Sequence, residues 1–446
     1  MKYILIFCLL SLQSCLGLAQ SFEGSWKGDL RIQQQVLPLI FHLQKTGYWQ
    51  GTMESPAQNS GKIKLSSIYV TQDSLFVEVK QIGLSFRGKL DDDHIDGEVK
   101  QGGMVFKMLM KRHQEVAPSR PQTPKAPYSY DTVEVTFKNA YDGTALAGTI
   151  SKPKGKGPYP AVALVTGSGP QDRDETIENH KPFKVIADYL SKQGIVVLRY
   201  DDRGIGKSSG DFNSSTTGDF SKDALAALAF LKKQPQVDSS KIGIIGHSEG
   251  GLIAMLLAGQ QVDDLSFIVS LAGPAIAMDS LMLLQAGLVG KSLGVEMSST
   301  ELARIKRNYA IVASDLNDVD ALKAIRENMK AVKGTNSPAF NLELASMLTP
   351  WYRYFMRINP IPFIQDISIP VFGAYGSHDI QVPMGVNMES LSDNLPANSR
   401  NSLKGYEGLN HLFQQSKTGS IAEYGELTES FNETVLADIV RWIKSL

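Results

Sequence analysis

Between residues 22 and 112 apolar and polar positions alternate over short runs. Examples are Leu30-Arg31-Ile32, Ile40-Phe41-His42-Leu43, Ser74-Leu75-Phe76-Val77-Glu78-Val79 and Met104-Val105-Phe106-Lys107-Met108-Leu109. A period of two sends successive side chains to opposite faces of a strand, so each run predicts a strand with one buried face. Turn signals such as Lys45-Thr46-Gly47 and Asp96-Gly97 separate the runs. Residues 20–113 therefore read as a small antiparallel all-β domain. Its histidines, His42, His94 and His113, lack ligand spacing and are assigned to the surface or to packing.

The pattern breaks at residues 114–127, where Pro118, Pro121, Pro124 and Pro127 predict an extended linker. From Tyr128 onward it changes character. Strand-like stretches Thr132-Val133-Glu134-Val135-Thr136-Phe137 and Leu146-Ala147-Gly148-Thr149-Ile150 come first. A fully apolar run follows at Ala161-Val162-Ala163-Leu164-Val165, and largely apolar runs at Ile195-Val196-Val197-Leu198, Ile242-Gly243-Ile244-Ile245, Phe267-Ile268-Val269-Ser270-Leu271 and Ile369-Pro370-Val371-Phe372. Helical periodicity lies between them, around 183–193 and over 220–233, the latter capped by Asp219. Apolar strands joined by crossover helices imply an α/β domain over residues 128–446, with a mostly parallel sheet covered by helices on both faces. Residues from about 275 to 362 interrupt this alternation with helical periodicity alone. They predict a helical lid whose aromatic cluster, Trp351, Tyr352 and Phe355, is assigned to the substrate pocket wall.

One stretch carries chemistry. Gly246-His247-Ser248-Glu249-Gly250 stands between an apolar strand and the helical run Gly251-Leu252-Ile253-Ala254-Met255-Leu256. A serine between glycines at a strand-to-helix turn is a nucleophile elbow. Such a serine needs a base, and the base needs an acid to hold its tautomer; in this topology the chain order is serine, acid, histidine. After Ser248 only His378 and His411 remain. Asp379, following an apolar strand, is assigned as the acid and His411 as the base. His378 is the rival base and Asp279 the rival acid. His247 is set aside because neighbouring side chains at the elbow diverge, and His180 is placed on the surface. The oxyanion hole is expected from the backbone N–H group of Glu249 and one in the loop Thr166-Gly167-Ser168-Gly169-Pro170, assigned to Ser168; Pro170 cannot donate. The charges of Gln171-Asp172-Arg173-Asp174-Glu175 are expected to pair and fix that loop.

The chain has 446 residues, with 45 Lys+Arg against 46 Asp+Glu and a net charge of -1, so nothing points to nucleic acid or an anionic surface. The opening MKYILIFCLLSLQSCLGLAQ joins one lysine to a short apolar run and small residues, which predicts an export signal over residues 1–19 rather than a membrane span. Leu12-Gln13-Ser14-Cys15 offers an alternative, a lipid anchor on Cys15. The only cysteines, Cys8 and Cys15, lie in this leader, so disulfide and thiol chemistry are not expected in the mature chain.

The segments TGSGPQDRD from Thr166, RYDDRGIGKSSG from Arg199, GHSEGG from Gly246 and GSHDIQVP from Gly376 resemble secreted bacterial α/β-hydrolases of the serine-aminopeptidase-like and dienelactone-hydrolase-like carboxylesterase group. This chain has His378 where related proteins often carry lysine or another charged residue before the acid. The resemblance covers roughly residues 128–446. It implies the α/β-hydrolase fold and ester hydrolysis through Ser248, Asp379 and His411, with no metal or cofactor. The expectation is an exported carboxylesterase acting on small-molecule esters with short-to-medium acyl or aromatic-acid groups. A serine aminopeptidase or amidase with the same triad, and a surface binding protein without catalysis, are the alternatives.

Overall fold

The computed structural model describes residues 21–32, 35–55, 63–101, 104–113, 119–292, 294–330, 332 and 338–446. The leader with its cysteines and residues 114–118 of the proline-rich stretch lie outside the described residues. The chain divides into two compact units, Met1–Val116 and Ala117–Leu446.

In the first unit the described residues form one nine-stranded sheet. Its strand Gly24–Ile32 pairs antiparallel with Gln35–Thr46 on one side and with Met104–His113 on the other. The two-residue period does what it predicts: Leu84–Asp91 buries Leu84, Phe86 and Leu90 and exposes Arg87 and Lys89. Trp26, Phe41, Phe86 and Met110 are fully buried, and the Trp26 indole N–H donates to Phe22 O at 2.8 Å, so its one polar atom is satisfied.

The second unit has the α/β-hydrolase fold. Its described residues build an eight-stranded sheet in the spatial order Asp131–Lys138, Ala145–Lys152, Val196–Tyr200, Tyr159–Val165, Val237–His247, Phe267–Leu271, Val371–Gly376 and Ser402–Tyr406. Ala145–Lys152 is antiparallel to both its neighbours, and the strands from Val196–Tyr200 onward are parallel. Every residue of Val196–Tyr200, Phe267–Leu271 and Val371–Gly376 is buried, which requires cover on both faces and explains their largely apolar composition; the buried charge among them, Arg199, is paired with Asp174. The helices Pro182–Lys192, Thr217–Lys232, Glu249–Gly259 and Glu433–Ser445 contribute to that core.

Three details differ from the sequence reading. The helix expected at 220–233 starts at Thr217, and its cap is Thr216. Asp219 is the third helical residue; its carboxylate accepts from the Thr216 N–H at 3.0 Å and hydroxyl at 2.8 Å, reaching back as capping boxes do. The described end of the proline-rich stretch is tied into the second unit: Arg120 donates to Glu178 O and Gly425 O, each at 2.9 Å, and Gln122 to Phe431 O at 2.8 Å. His180 is fully buried rather than on the surface, between Ser430 Oγ at 2.8 Å and Tyr424 O at 2.9 Å.

Between Phe267–Leu271 and Val371–Gly376 the helices Met278–Ser292, Ser299–Ala313, Asp318–Met329, Pro338–Met347 and Pro350–Phe355 form an insertion. It has its own small core of Tyr309, Val312, Ile325, Leu344 and Met356. Among the described residues no helix is long and apolar enough to cross a membrane.

Candidate active site

Ser248 stands between the strand Val237–His247 and the helix Glu249–Gly259, at φ 52° and ψ -116°. That conformation is strained for a residue with a Cβ. The flanking glycines make it feasible. A Cβ on Gly246 would lie 2.0 Å from Gly250 O, and one on Gly250 would lie 2.0 Å from Val165 O. Strand, helix and the neighbouring strand end therefore touch through bare backbone, and the serine N–H is held by Leu271 O at 2.8 Å.

Asp379 follows the strand Val371–Gly376 and is buried. Its Oδ1 accepts from the backbone N–H groups of Gln381 and Val382, both at 2.8 Å, leaving Oδ2 for His411 Nδ1 at 2.8 Å. A proton on Nδ1 leaves Nε2 as the basic nitrogen of His411. His411 and Ser248 line one cavity of about 250 Å³. The rivals lie elsewhere: His378 Nδ1 meets Ser416 O at 3.1 Å, and Asp279 is exposed, accepting from its neighbour Ser280. A larger depression of about 850 Å³ on the first sheet, near Tyr69, Phe76 and Arg87, has no histidine in its lining.

Ser168 and Gly167 line the same cavity as Ser248. The Gly167 N–H is taken by Glu175 Oε1 at 2.7 Å. Glu249 is the first residue of its helix, where backbone N–H groups have no intrahelical acceptor. Its side chain was not anticipated: buried in full, its Oε1 accepts from Thr217 Oγ1 at 2.7 Å and from Trp351 Nε1 at 2.9 Å. Burial pushes this carboxyl up, against the pull of Thr217, Trp351 and Ser168.

Trp351 and Phe355 stand on the cavity wall with Leu281, Met282, Pro274 and Val382. Tyr352, expected beside them, is not in that lining. It packs against the insertion's own core, edge-on to Trp351. Positions 351 and 355 share a helix face, one turn apart, whereas 352 is turned about 100° away.

The loop from Thr166 is pinned by paired charges. Arg173 Nη2 meets Asp201 Oδ2 at 2.8 Å and its Nη1 meets Glu134 Oε2 at 2.7 Å; Asp174 pairs with Arg199 and, at 3.3 Å, with Lys181. Glu175 meets His247 Nδ1 at 2.9 Å, and His247 Nε2 lies 2.9 Å from His411 O. Nothing in the spacing of these residues signals this contact.

The family model described as X-Pro dipeptidyl-peptidase (S15 family) matches residues 142–401. Esterase EstD of Thermotoga maritima is 28% identical over 349 residues, spanning 78% of this chain and 75% of its own length. Dipeptidyl-peptidase 5 of Porphyromonas gingivalis is 29% identical over 119 residues, 26% of this chain and 17% of its own length. An esterase structure from Pyrococcus furiosus aligns at 17% identity with a TM-score of 0.44, covering 75% of this chain and 99% of that one.

Proposed function

The chain belongs to the X-Pro dipeptidyl-peptidase (S15) family of serine hydrolases, and from that premise we propose that it is an exported carboxylesterase hydrolysing small-molecule esters of short-to-medium acyl or aromatic acids. In this reading Ser248 Oγ attacks the ester carbonyl while His411 Nε2 takes its proton. Asp379 holds His411 through the 2.8 Å contact to Nδ1 and stabilises the imidazolium that forms. The N–H groups of Glu249 and Ser168 receive the developing oxyanion. His411 then protonates the departing alkoxide, and water activated by the same base releases the acid from Ser248.

The observation that carries ester over peptide is the cavity wall. Leu281, Met282, Trp351, Phe355 and Val382 present apolar surface beside Ser248, which suits an acyl chain or aromatic acid. An enzyme that trims peptides from the amino terminus must grip an α-ammonium group with a carboxylate. The carboxylate in this lining, Glu175, is already engaged by His247 and by Gly167 N–H. The S15 match makes peptide cleavage with the same triad the second reading. A matched ester and aminoacyl anilide separate the two: kcat/KM is expected to be higher for the ester. A higher value for the anilide, despite its stronger bond, would replace the esterase reading with the peptidase.

The insertion is proposed to act as the lid over this site. The leader at residues 1–19 supports export, with cleavage after Ala19 or lipid attachment at Cys15 as the routes.

A further inference from the structure

Glu175 and His247 have no part in the proton transfers above, yet they line the same cavity as Ser248 and His411. Glu175 is held at φ 51°, a conformation uncommon for a residue with a Cβ, and both side chains are buried. Glu175 Oε1 takes the Gly167 N–H at 2.7 Å and meets His247 Nδ1 at 2.9 Å. His247 Nε2 faces His411 O at 2.9 Å. A carbonyl oxygen only accepts, so Nε2 carries a proton. The contact at Nδ1 then needs a further proton, shared between imidazole and carboxyl. Burial disfavours the His247 imidazolium, but the Glu175 charge and hydrogen bonds outweigh it and raise its pKa. The Asp379 charge also favours the protonated His247, and the His411 ring packs beside it with centroids 4.8 Å apart.

We propose that Glu175 and His247 form a buried positioning pair that locks the oxyanion loop and the loop carrying His411 into one rigid unit around Ser248. The inference rests on the Ser248–His411–Asp379 reading of the site. Its physical basis is the tightness of the junction. A Cβ on Gly167 would come within 3.2 Å of Ser248 Cβ and 3.4 Å of His247 Nδ1, so the loop is pressed onto the elbow. The position of Gly167 sets where the next N–H, that of Ser168, points. The carbonyl of His411 is held from the same pair, so base and oxyanion donor share one anchor. Errors of about 1 Å in such geometry cost on the order of 10²-fold in rate, and loss of one oxyanion donor costs ~10²–10³.

The test uses the full chain in five forms: wild type, Ser248→Ala, Glu175→Gln, His247→Gln and the Glu175→Gln/His247→Gln double variant. Glu175→Gln keeps the volume and an acceptor for Gly167 but removes the charge. His247→Gln keeps reach towards His411 O but loses the bond to Glu175. Kinetics are expressed per active site titrated with a fluorophosphonate, so unfolded molecules do not enter kcat. Each single variant is expected to lose about 10–100-fold in kcat, with KM within about twofold, and the double to lose no more than the worse single, as for residues acting as one unit. A wild-type kcat per titrated site, an effect confined to KM, or independent multiplicative losses would overturn the pair. Ester hydrolysis surviving in Ser248→Ala would instead show that the triad reading itself had failed.

Discussion

His411 and His378 are separated by what their ring nitrogens meet. His411 faces a buried carboxylate and the cavity; His378 Nδ1 meets Ser416 O in the same loop system. His411→Ala is therefore expected to lower kcat by at least ~10³, in line with removals of a catalytic base, while His378→Ala stays within a few fold, as steady-state ester hydrolysis by the two variants would check. A larger loss in His378→Ala would transfer the base to that residue. The Asp379–His411 contact and the cavity that His411 shares with Ser248 join residues that each sit in a local sequence pattern: an elbow, a strand end, and a histidine after both. Glu175 and His247 were not legible in this way, because they meet from 72 residues apart and neither neighbourhood hints at the other. Divergence of neighbouring side chains at the elbow removes His247 as a base but says nothing of what it does instead. Tyr352 is a different kind of miss: one-turn spacing already groups Trp351 with Phe355 and separates Tyr352 from them.

Among the elements, the loop after Tyr159–Val165 matters most, because it carries Ser168 and is fixed by ion pairs rather than by apolar packing. Burial pushes the Asp201 carboxyl up, but its bonds to Arg173 and to the Lys207 N–H outweigh this and hold it below the ordinary value. The sign follows. A depressed native pKa contributes stability above the unfolded value, about 3.9, and that stability is lost as pH falls through the native pKa. Asp201→Asn lacks this contribution, so its Tm should be lower than wild type at neutral pH and fall less steeply towards about pH 3. An equal or steeper acid slope in the variant would show that the Arg173–Asp201 pair is not held this way. Element prediction succeeded where burial is complete: the runs at 161–165, 242–245 and 267–271 all lie within strands. Ser402–Tyr406 escaped because an edge strand with a lysine and a glycine among its residues has no unbroken apolar run. The helix Glu433–Ser445 was within reach, since Val435, Leu436, Ile439, Val440, Trp442 and Ile443 recur at one helix face and are buried there.

For the molecule as a whole, fold class followed from the switch between a period of two and alternating apolar strands and helices. Sheet order did not, because Val196–Tyr200 lies between Ala145–Lys152 and Tyr159–Val165, and a linear pattern does not encode which strand a crossover lands beside. That order is what matters for function. It places Val237–His247 between Tyr159–Val165 and Phe267–Leu271, so Ser248 rises beside the loop that carries Gly167 and Ser168. The strand Val371–Gly376 delivers Asp379 two positions further across the sheet, and the insertion supplies Trp351 and Phe355 to the cavity that Ser248 lines. The central claim is that all ester hydrolysis passes through Ser248 at this junction. Its most direct measurement is peptide mapping by mass spectrometry of the full chain inactivated with a fluorophosphonate, alongside residual esterase activity. One adduct per molecule, located on Ser248, with activity falling in proportion to labelling, is the predicted result. An adduct on another residue, or full activity at stoichiometric Ser248 labelling, would contradict it.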